Sequence, residues 1–314
     1  MVYNKVMKNA KRGSVFLLCA AMVFLFVGCS GTGPDTKDLS GIIETSYPRT
    51  VSIEIYDRQY GGGRVSAGSG VIVHADNNTS LLATNAHVIG DKGTDENPNY
   101  NSNGVRLRYS SNVWISIIHW SGDLYAGRVN PYSYAEMAPY TVARFQASTS
   151  TVLYDNAKED LAIIKFTPRA DFRNNRASLR SDEKKPPRVG EPVAALGYSF
   201  GEFYRASVGV VTQVFPRYTT SSEGGKEFKY AFMHDAITIN GNSGGPVFDA
   251  EGNLLGLTTM VIVMCVSGDS GCIYDPPAVR DHDCDVAALG FSLAISARHI
   301  AEVMDRPAHA SWYA

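Results

Sequence analysis

Gly241-Asn242-Ser243-Gly244-Gly245-Pro246, followed directly by Val247 and Phe248, is the stretch from which the rest of this chain is best read. Three glycines and a proline crowd one serine. Glycine tolerates backbone conformations closed to other residues, so the peptide can bend tightly and aim successive N–H groups at one point. A serine held there presents its hydroxyl beside ready-made donors, which suits attack on a carbonyl carbon and capture of the resulting oxyanion. A Gly-rich serine turn alone is more often only a turn, so the reading depends on what lies upstream.

Upstream lie a histidine and an aspartate. His87 sits in the run Leu81-Leu82-Ala83-Thr84-Asn85-Ala86-His87-Val88-Ile89, and Asp160 stands at the mouth of the apolar segment Leu161-Ala162-Ile163-Ile164-Lys165-Phe166. With seven histidines in the chain, one such pairing carries little weight alone. The order His, Asp, Ser is one of several in which such a constellation occurs.

Thr84-Asn85-Ala86-His87-Val88, Asp160-Leu161-Ala162-Ile163-Ile164-Lys165 and Gly241-Asn242-Ser243-Gly244-Gly245-Pro246 together resemble the three signature blocks of trypsin-like serine endopeptidases, and most closely the HtrA-type bacterial branch. Four further blocks agree: Gly68-Ser69-Gly70-Val71-Ile72-Val73, Ala195-Leu196-Gly197-Tyr198-Ser199-Phe200-Gly201, Ser207-Val208-Gly209-Val210-Val211 and Gly290-Phe291-Ser292-Leu293-Ala294-Ile295. The resemblance spans roughly residues 45–305. It implies an all-β fold of two six-stranded antiparallel barrels plus a C-terminal helix. The active site would lie in the cleft, with His87 and Asp160 from the first barrel and Ser243 from the second.

The resemblance also assigns roles. Ser243 is the expected nucleophile, His87 the base that takes its proton, and Asp160 the group that orients the imidazole and stabilises its charged form. The backbone N–H groups of Gly241 and Ser243 are expected to form the oxyanion hole. Asn242 stands where zymogen-activated relatives carry an aspartate that pairs with a freed N-terminus, so activation of that kind is not expected. By register, Ile237 and Thr238 line the base of the substrate pocket, while Thr259, Met260 and Val261 form a wall. None of these is charged, which predicts modest preference for small or medium apolar side chains before the cut. His234 is the one nearby residue able to favour an acidic side chain.

The expected activity is hydrolysis of peptide bonds in protein or peptide substrates through an acyl-enzyme, with no cofactor and no metal. Asp281-His282-Asp283-Cys284-Asp285 mixes potential metal ligands, but neighbouring residues point in different directions and read as a solvated acidic loop. Two other readings stay open: a catalytically silent trypsin-like binding module, and a protease active only once a partner orders its loops.

Composition bounds the rest. The chain has 314 residues, 44% hydrophobic and 19% charged, an ordinary globular balance. A net charge of −2 provides no broad basic surface, which argues against nucleic acid as a partner. Lys5, Lys8, Lys11 and Arg12 precede an apolar run over 15–27 that is short for a lasting membrane span, and Leu25-Phe26-Val27-Gly28-Cys29-Ser30 follows. This resembles a bacterial lipoprotein signal over 1–28, with Cys29 lipidated to anchor an exported protein in the cell envelope. Phe26 departs from the usual small aliphatic there; plain signal cleavage or a retained helix are the alternatives. Residues 29–41 read as a flexible tether, 42–305 as the protease domain (barrels roughly 42–170 and 185–295), and 306–314 as a tail with no room for a peptide-binding PDZ domain. In an exported protein, Cys265, Cys272 and Cys284 favour one disulfide among three pairings.

Strands are expected at 51–55, 70–74, 81–84, 105–109, 113–119, 161–166, 192–196 and 208–214, with a hairpin from Phe248 to 254–259. One helix is expected near the end, capped by Ser296 and stopped by Pro307, with Ile300, Val303 and Met304 on one face. Segments 90–104, 130–154 and 266–285 read as surface insertions around the cleft.

Overall fold

The computed structural model describes residues 38–58, 61–90, 104–106, 111–121, 138–148, 150–168, 175–183, 185–200, 203–220, 225–265, 273–274 and 286–313. The signal over 1–28, Cys29, most of the tether, Cys272, Cys284, the Asp281–Asp285 run and most of the 90–104 and 266–285 insertions lie outside them. So does most of the strand expected at 105–109; Val105 itself bridges to Asn156.

Two sheets form the body, antiparallel throughout except where β8 joins the second. The first comprises β1 (Thr50–Asp57), β2 (Arg64–Ala75), β3 (Ser80–Thr84), β4 (Val113–Ser121), β5 (Ala138–Gln146), β6 (Val152–Asn156) and β7 (Leu161–Phe166), in the order β5-β4-β1-β2-β3-β7-β6. The second contains β8 (Ser178–Leu179), β9 (Pro192–Ser199), β10 (Phe203–Thr219), β11 (Glu227–His234), β12 (Pro246–Asp249), β13 (Asn253–Cys265), β14 (Ile273–Tyr274) and β15 (Val286–Ser296). Its path runs β12-β9-β10-β11-β15-β13, and β12 pairs with β13 as well as β9, so six strands close into a ring. β14 and β8 append to β13. Closure removes exposed strand edges and leaves an apolar interior of Val193, Val211, Phe232, Val247 and Leu255.

Alternation in Val51-Ser52-Ile53-Glu54-Ile55 suggests a half-buried strand, yet β1 is buried on both faces. It lies between β2 and β4, and Glu54 is tolerated there because Arg64 Nη1 donates to it at 2.9 Å and Tyr56 Oη at 2.6 Å. The surface-insertion reading of 130–154 needs correction. Residues 138–146 form β5, pairing along β4, and 152–156 form β6, pairing with β7. Thr and Tyr in that stretch look loop-like by polarity but favour strands by shape.

A second apolar cluster joins the sheets. Val71, Leu81 and Ile163 of the first meet Leu196, Phe248 and Leu257 of the second, and helix α3 (Ala297–Met304) adds Ile300 and Val303. The helix was well specified by sequence: Ser296 Oγ accepts from the Arg298 N–H, the apolar face is buried, and the helix ends three residues before Pro307. The chain on either side of the expected domain is also structured. Leu39 is buried in the same cluster and helix α1 (Ser40–Ser46) follows it, so the end of the expected tether is docked through Leu39 and continues into a helix. Residues 307–313 form a 3-10 turn whose Trp312 is buried, stacked on His309.

Candidate active site

His87 is presented by a single helical turn, α2 (Ala86–Ile89), that begins as the buried strand β3 ends. Asp160 closes the β6–β7 turn, where the Asn156 side chain caps the N–H groups of Lys158 and Glu159. Asp160 adopts φ +51°, a left-handed conformation uncommon for non-glycine residues and tolerated at strongly constrained sites. The Asn85 amide donates to its carbonyl at 3.0 Å, tying the two turns together.

The Asp160 carboxylate is fully buried. Oδ1 accepts the His87 backbone N–H at 3.1 Å, and the His87 ring Nδ1 lies 3.0 Å from Oδ1 and 2.9 Å from Oδ2. Oδ2 also accepts the Thr259 hydroxyl and, at 3.0 Å, the Lys226 ammonium. Burial alone would raise the carboxyl's pKa, but the charges of His87 and Lys226 and the hydrogen bonds of His87 and Thr259 hold it well below the usual range. An ionised carboxylate only accepts, so Nδ1 carries the proton and Nε2 is left as an acceptor facing away from Asp160.

The serine loop is assembled through its backbone. Ser69, fully buried on β2, is the hub. Its N–H donates to the Ser243 carbonyl at 2.8 Å, and its hydroxyl donates to the Gly241 carbonyl at 2.7 Å while accepting the Tyr198 N–H at 2.7 Å. Thr84 returns a hydrogen bond to the Ser69 carbonyl at 2.7 Å. Gly244, at φ +79°, lies so close to Thr84, Ser69 and the Asn85 N–H that a Cβ would fall 2.2, 2.3 and 3.0 Å from their atoms. The serine loop therefore abuts the turn that carries His87. Among the described residues no hydrogen bond joins Ser243 Oγ to His87.

Neither the Gly241 nor the Ser243 N–H has a protein acceptor among the described residues. The Asn240 carbonyl accepts the Phe200 N–H at 2.8 Å, which pins the 240–241 peptide and turns the Gly241 N–H the opposite way. Asn242 is buried and its Oδ1 accepts the Ser199 hydroxyl at 2.9 Å. A neutral side chain thus holds this position with a partner from β9.

The expected pocket residues divide. Thr238 is buried, its hydroxyl 2.6 Å from that of Ser292, and Val261 is the cross-strand partner of Ser292. Ile237 is 71% exposed, its carbonyl held by the Ser207 hydroxyl. Met260 packs against the Phe228–Leu293 cluster, and the Thr259 hydroxyl serves Asp160. His234 is buried in the second barrel, where burial pushes its imidazole down to about 4, so it is neutral at pH 7. Ser69 was legible only as part of a glycine block, and Lys226 carried no local signal, because its partner is 66 positions away.

We predict that Ser69→Ala lowers stability by about 2 kcal/mol, since it strands the buried Tyr198 N–H and one acceptor. It should also slow reaction at Ser243, because the Gly241 carbonyl loses its anchor. A urea midpoint and the rate of serine labelling check both; an unchanged midpoint would contradict the hub assignment.

The family described as a trypsin-like peptidase domain matches residues 68–257, more than half of the chain. Among curated proteins, similarity is found to "Serine protease HTRA4" of Homo sapiens, 26% identical over 252 residues that cover 76% of this chain and 41% of that protein. "Serine protease HTRA2, mitochondrial" of Bos taurus is 27% identical, covering 79% and 44%. "Serine protease HtrA-like" of Staphylococcus haemolyticus is 21% identical, covering 84% and 32%. The chain thus spans less than half of these relatives' lengths. Among solved structures, "HtrA-type protease AlgW with tripeptide" superposes with a TM-score of 0.50 at 20% identity over 85% of this chain and 62% of that one, a likeness of fold.

Proposed function

Because this chain belongs to the trypsin-like peptidase family, we propose that it is a serine endopeptidase that cleaves protein or peptide substrates through a Ser243–His87–Asp160 triad. The observation that carries the reading is the fully buried Asp160 carboxylate, which fixes His87 Nδ1 at 2.9 Å beside a serine loop clamped to the same turn. With Nδ1–H held there, Nε2 accepts the Ser243 proton as Oγ attacks the substrate carbonyl. The Gly241 and Ser243 N–H groups, which have no protein acceptor among the described residues, receive the oxyanion. Nε2–H then protonates the leaving amine, and water, deprotonated by the same nitrogen, releases the acyl group from Ser243. The uncharged Ile237, Thr238 and Val261 suit small or medium apolar side chains before the cut.

The N-terminal Lys5, Lys8, Lys11 and Arg12, the apolar 15–27 and Cys29 support export and anchoring in the cell envelope through a lipidated cysteine. Fatty-acid labelling lost in Cys29→Ala would support that anchor.

An organophosphonate serine probe tests the activity. Wild type should gain the probe's mass on Ser243, and Ser243→Ala should gain none. A folded wild type that stays unlabelled at pH 8 overturns the reading. The missing Ser243–His87 hydrogen bond favours one second reading, a site completed only when substrate or a partner engages the loop. Labelling that rises on adding a peptide substrate would select it.

A further inference from the structure

Asp160 Oδ2 accepts three donors, and one is a full cation that a serine–histidine–aspartate arrangement does not need. Lys226 begins the β11 side of the hairpin between β10 and β11, and its placement is specific. Its N–H donates to Thr220 Oγ1 at 2.8 Å, its carbonyl accepts the Thr220 N–H at 3.0 Å, and the Glu227 N–H donates to the Lys158 carbonyl at 2.7 Å. The second barrel thereby delivers an ammonium to the carboxylate turn of the first. Its side chain is 23% exposed, while the oxygen it meets is wholly buried.

Accordingly, we infer that Lys226 is a positioning residue of the proposed triad: it anchors Asp160 Oδ2 and offsets part of the charge that Asp160 offers to His87, so that His87 stays a neutral base to lower pH. The inference rests on the endopeptidase reading above. When Ser243 gives up its proton, His87 becomes a second cation on a carboxylate that already holds one, and like charges sharing a partner disfavour each other. Removing the ammonium leaves the full carboxylate charge to the imidazolium, which then persists to higher pH.

Among the described residues, the other charged groups around α2 are committed elsewhere. Glu54 pairs with Arg64 on β1 and β2, Arg106 bonds Asp155 and the Gly90 carbonyl, and Glu159 faces His299 and Tyr154. His74 of β2 pairs with Asp76, and Lys158 lies beside Gly104. Lys165 lies on the far half of β7.

The test uses the full chain with Lys226→Met and Lys226→Arg, and reads two quantities against pH: the rate of organophosphonate labelling at Ser243, and the ring resonances of His87 by NMR. In Lys226→Met the acid limb of labelling and the ring titration should both move up by about one pH unit. Lys226→Arg, which keeps the charge, should return both to the wild-type position. Lys226→Gln substitutes if the methionine variant fails to fold. A ring titration that is unmoved or moves down when the charge is removed overturns the inference, whatever the labelling rate. If no variant labels, the endopeptidase reading fails separately, and the ring titration still decides whether Lys226 governs the charge on His87.

Discussion

Asp160→Asn should slow acylation of Ser243 by about 10⁴-fold at neutral pH, the scale found when the aspartate of such a triad becomes an amide. The reason is proton placement rather than shape. Asp160 accepts the His87 ring N–H, the His87 backbone N–H, the Thr259 hydroxyl and the Lys226 ammonium. Asparagine offers one acceptor and one N–H₂ group, so either the imidazole turns to the wrong tautomer or a donor faces a donor. Labelling kinetics at pH 8 measure the loss, and a rate within tenfold of wild type would remove Asp160 from the mechanism.

The same variant has a pH signature in stability. The folded Asp160 carboxyl is held below its ordinary value; burial opposes this, but His87, Lys226 and Thr259 outweigh it. Glu159 is held down to about 2; burial again opposes, and hydrogen bonds from His299 and Tyr154 dominate. Groups depressed in the folded state stabilise it above their unfolded pKa, and that contribution is lost as pH falls through the folded values. Wild type should therefore weaken on acidification in two stages: from about pH 6.5, where the unfolded chain protonates His234 while the buried imidazole stays neutral, and again below roughly pH 4.5, where these two carboxyls contribute. Asp160→Asn should start less stable at pH 7 and lose less on acidification. Urea midpoints at pH 7, 5 and 3 would show it; parallel acid loss in both proteins would contradict it.

Gly244→Ala should destabilise the fold by about 3–5 kcal/mol, combining left-handed backbone strain with overpacking. The new Cβ would stand 2.2 Å from Thr84 Oγ1 and 2.3 Å from the Ser69 carbonyl oxygen, and the second is backbone with little room to yield. Relief would have to come from shifting the serine loop off β2 and β3, which breaks the Gly244 N–H bond to the Thr258 carbonyl at 2.8 Å and moves Ser243 away from the His87 turn. Labelling should be lost along with stability. Gly190→Ala separates the two causes: its φ is +84° and no atom lies within 4 Å of the added Cβ, so it should cost only about 1–2 kcal/mol. Equal losses from both substitutions would show that strain, and not the clash, governs Gly244.

Much of the fold was readable because its signals are local. Apolar runs such as Leu81-Leu82-Ala83 and Leu161-Ala162-Ile163-Ile164 became fully buried strands, and Ser296 and Pro307 bounded the only helix expected. β5 and β6 were misjudged because Thr, Tyr and Ser resemble loop residues by polarity, while their strand role depends on β4 and β7 pairing alongside. The docking of Leu39 and Trp312 into the seam was also invisible, since a lone apolar residue among polar ones does not announce its partner.

At the site, the residue types and their order in Thr84-Asn85-Ala86-His87, Asp160-Leu161 and Gly241-Asn242-Ser243-Gly244 specified the family and the chemistry to look for, because tight turns and exposed nucleophiles impose glycines and small residues within a few positions. Tertiary structure alone decided who meets the carboxylate and who holds the loop. The Thr259 hydroxyl lies 99 positions from Asp160, and Ser69 Oγ lies 172 from the Gly241 carbonyl it anchors. Such contacts form where two barrels touch, and no periodicity or motif within either one records which side chain will face it across the seam.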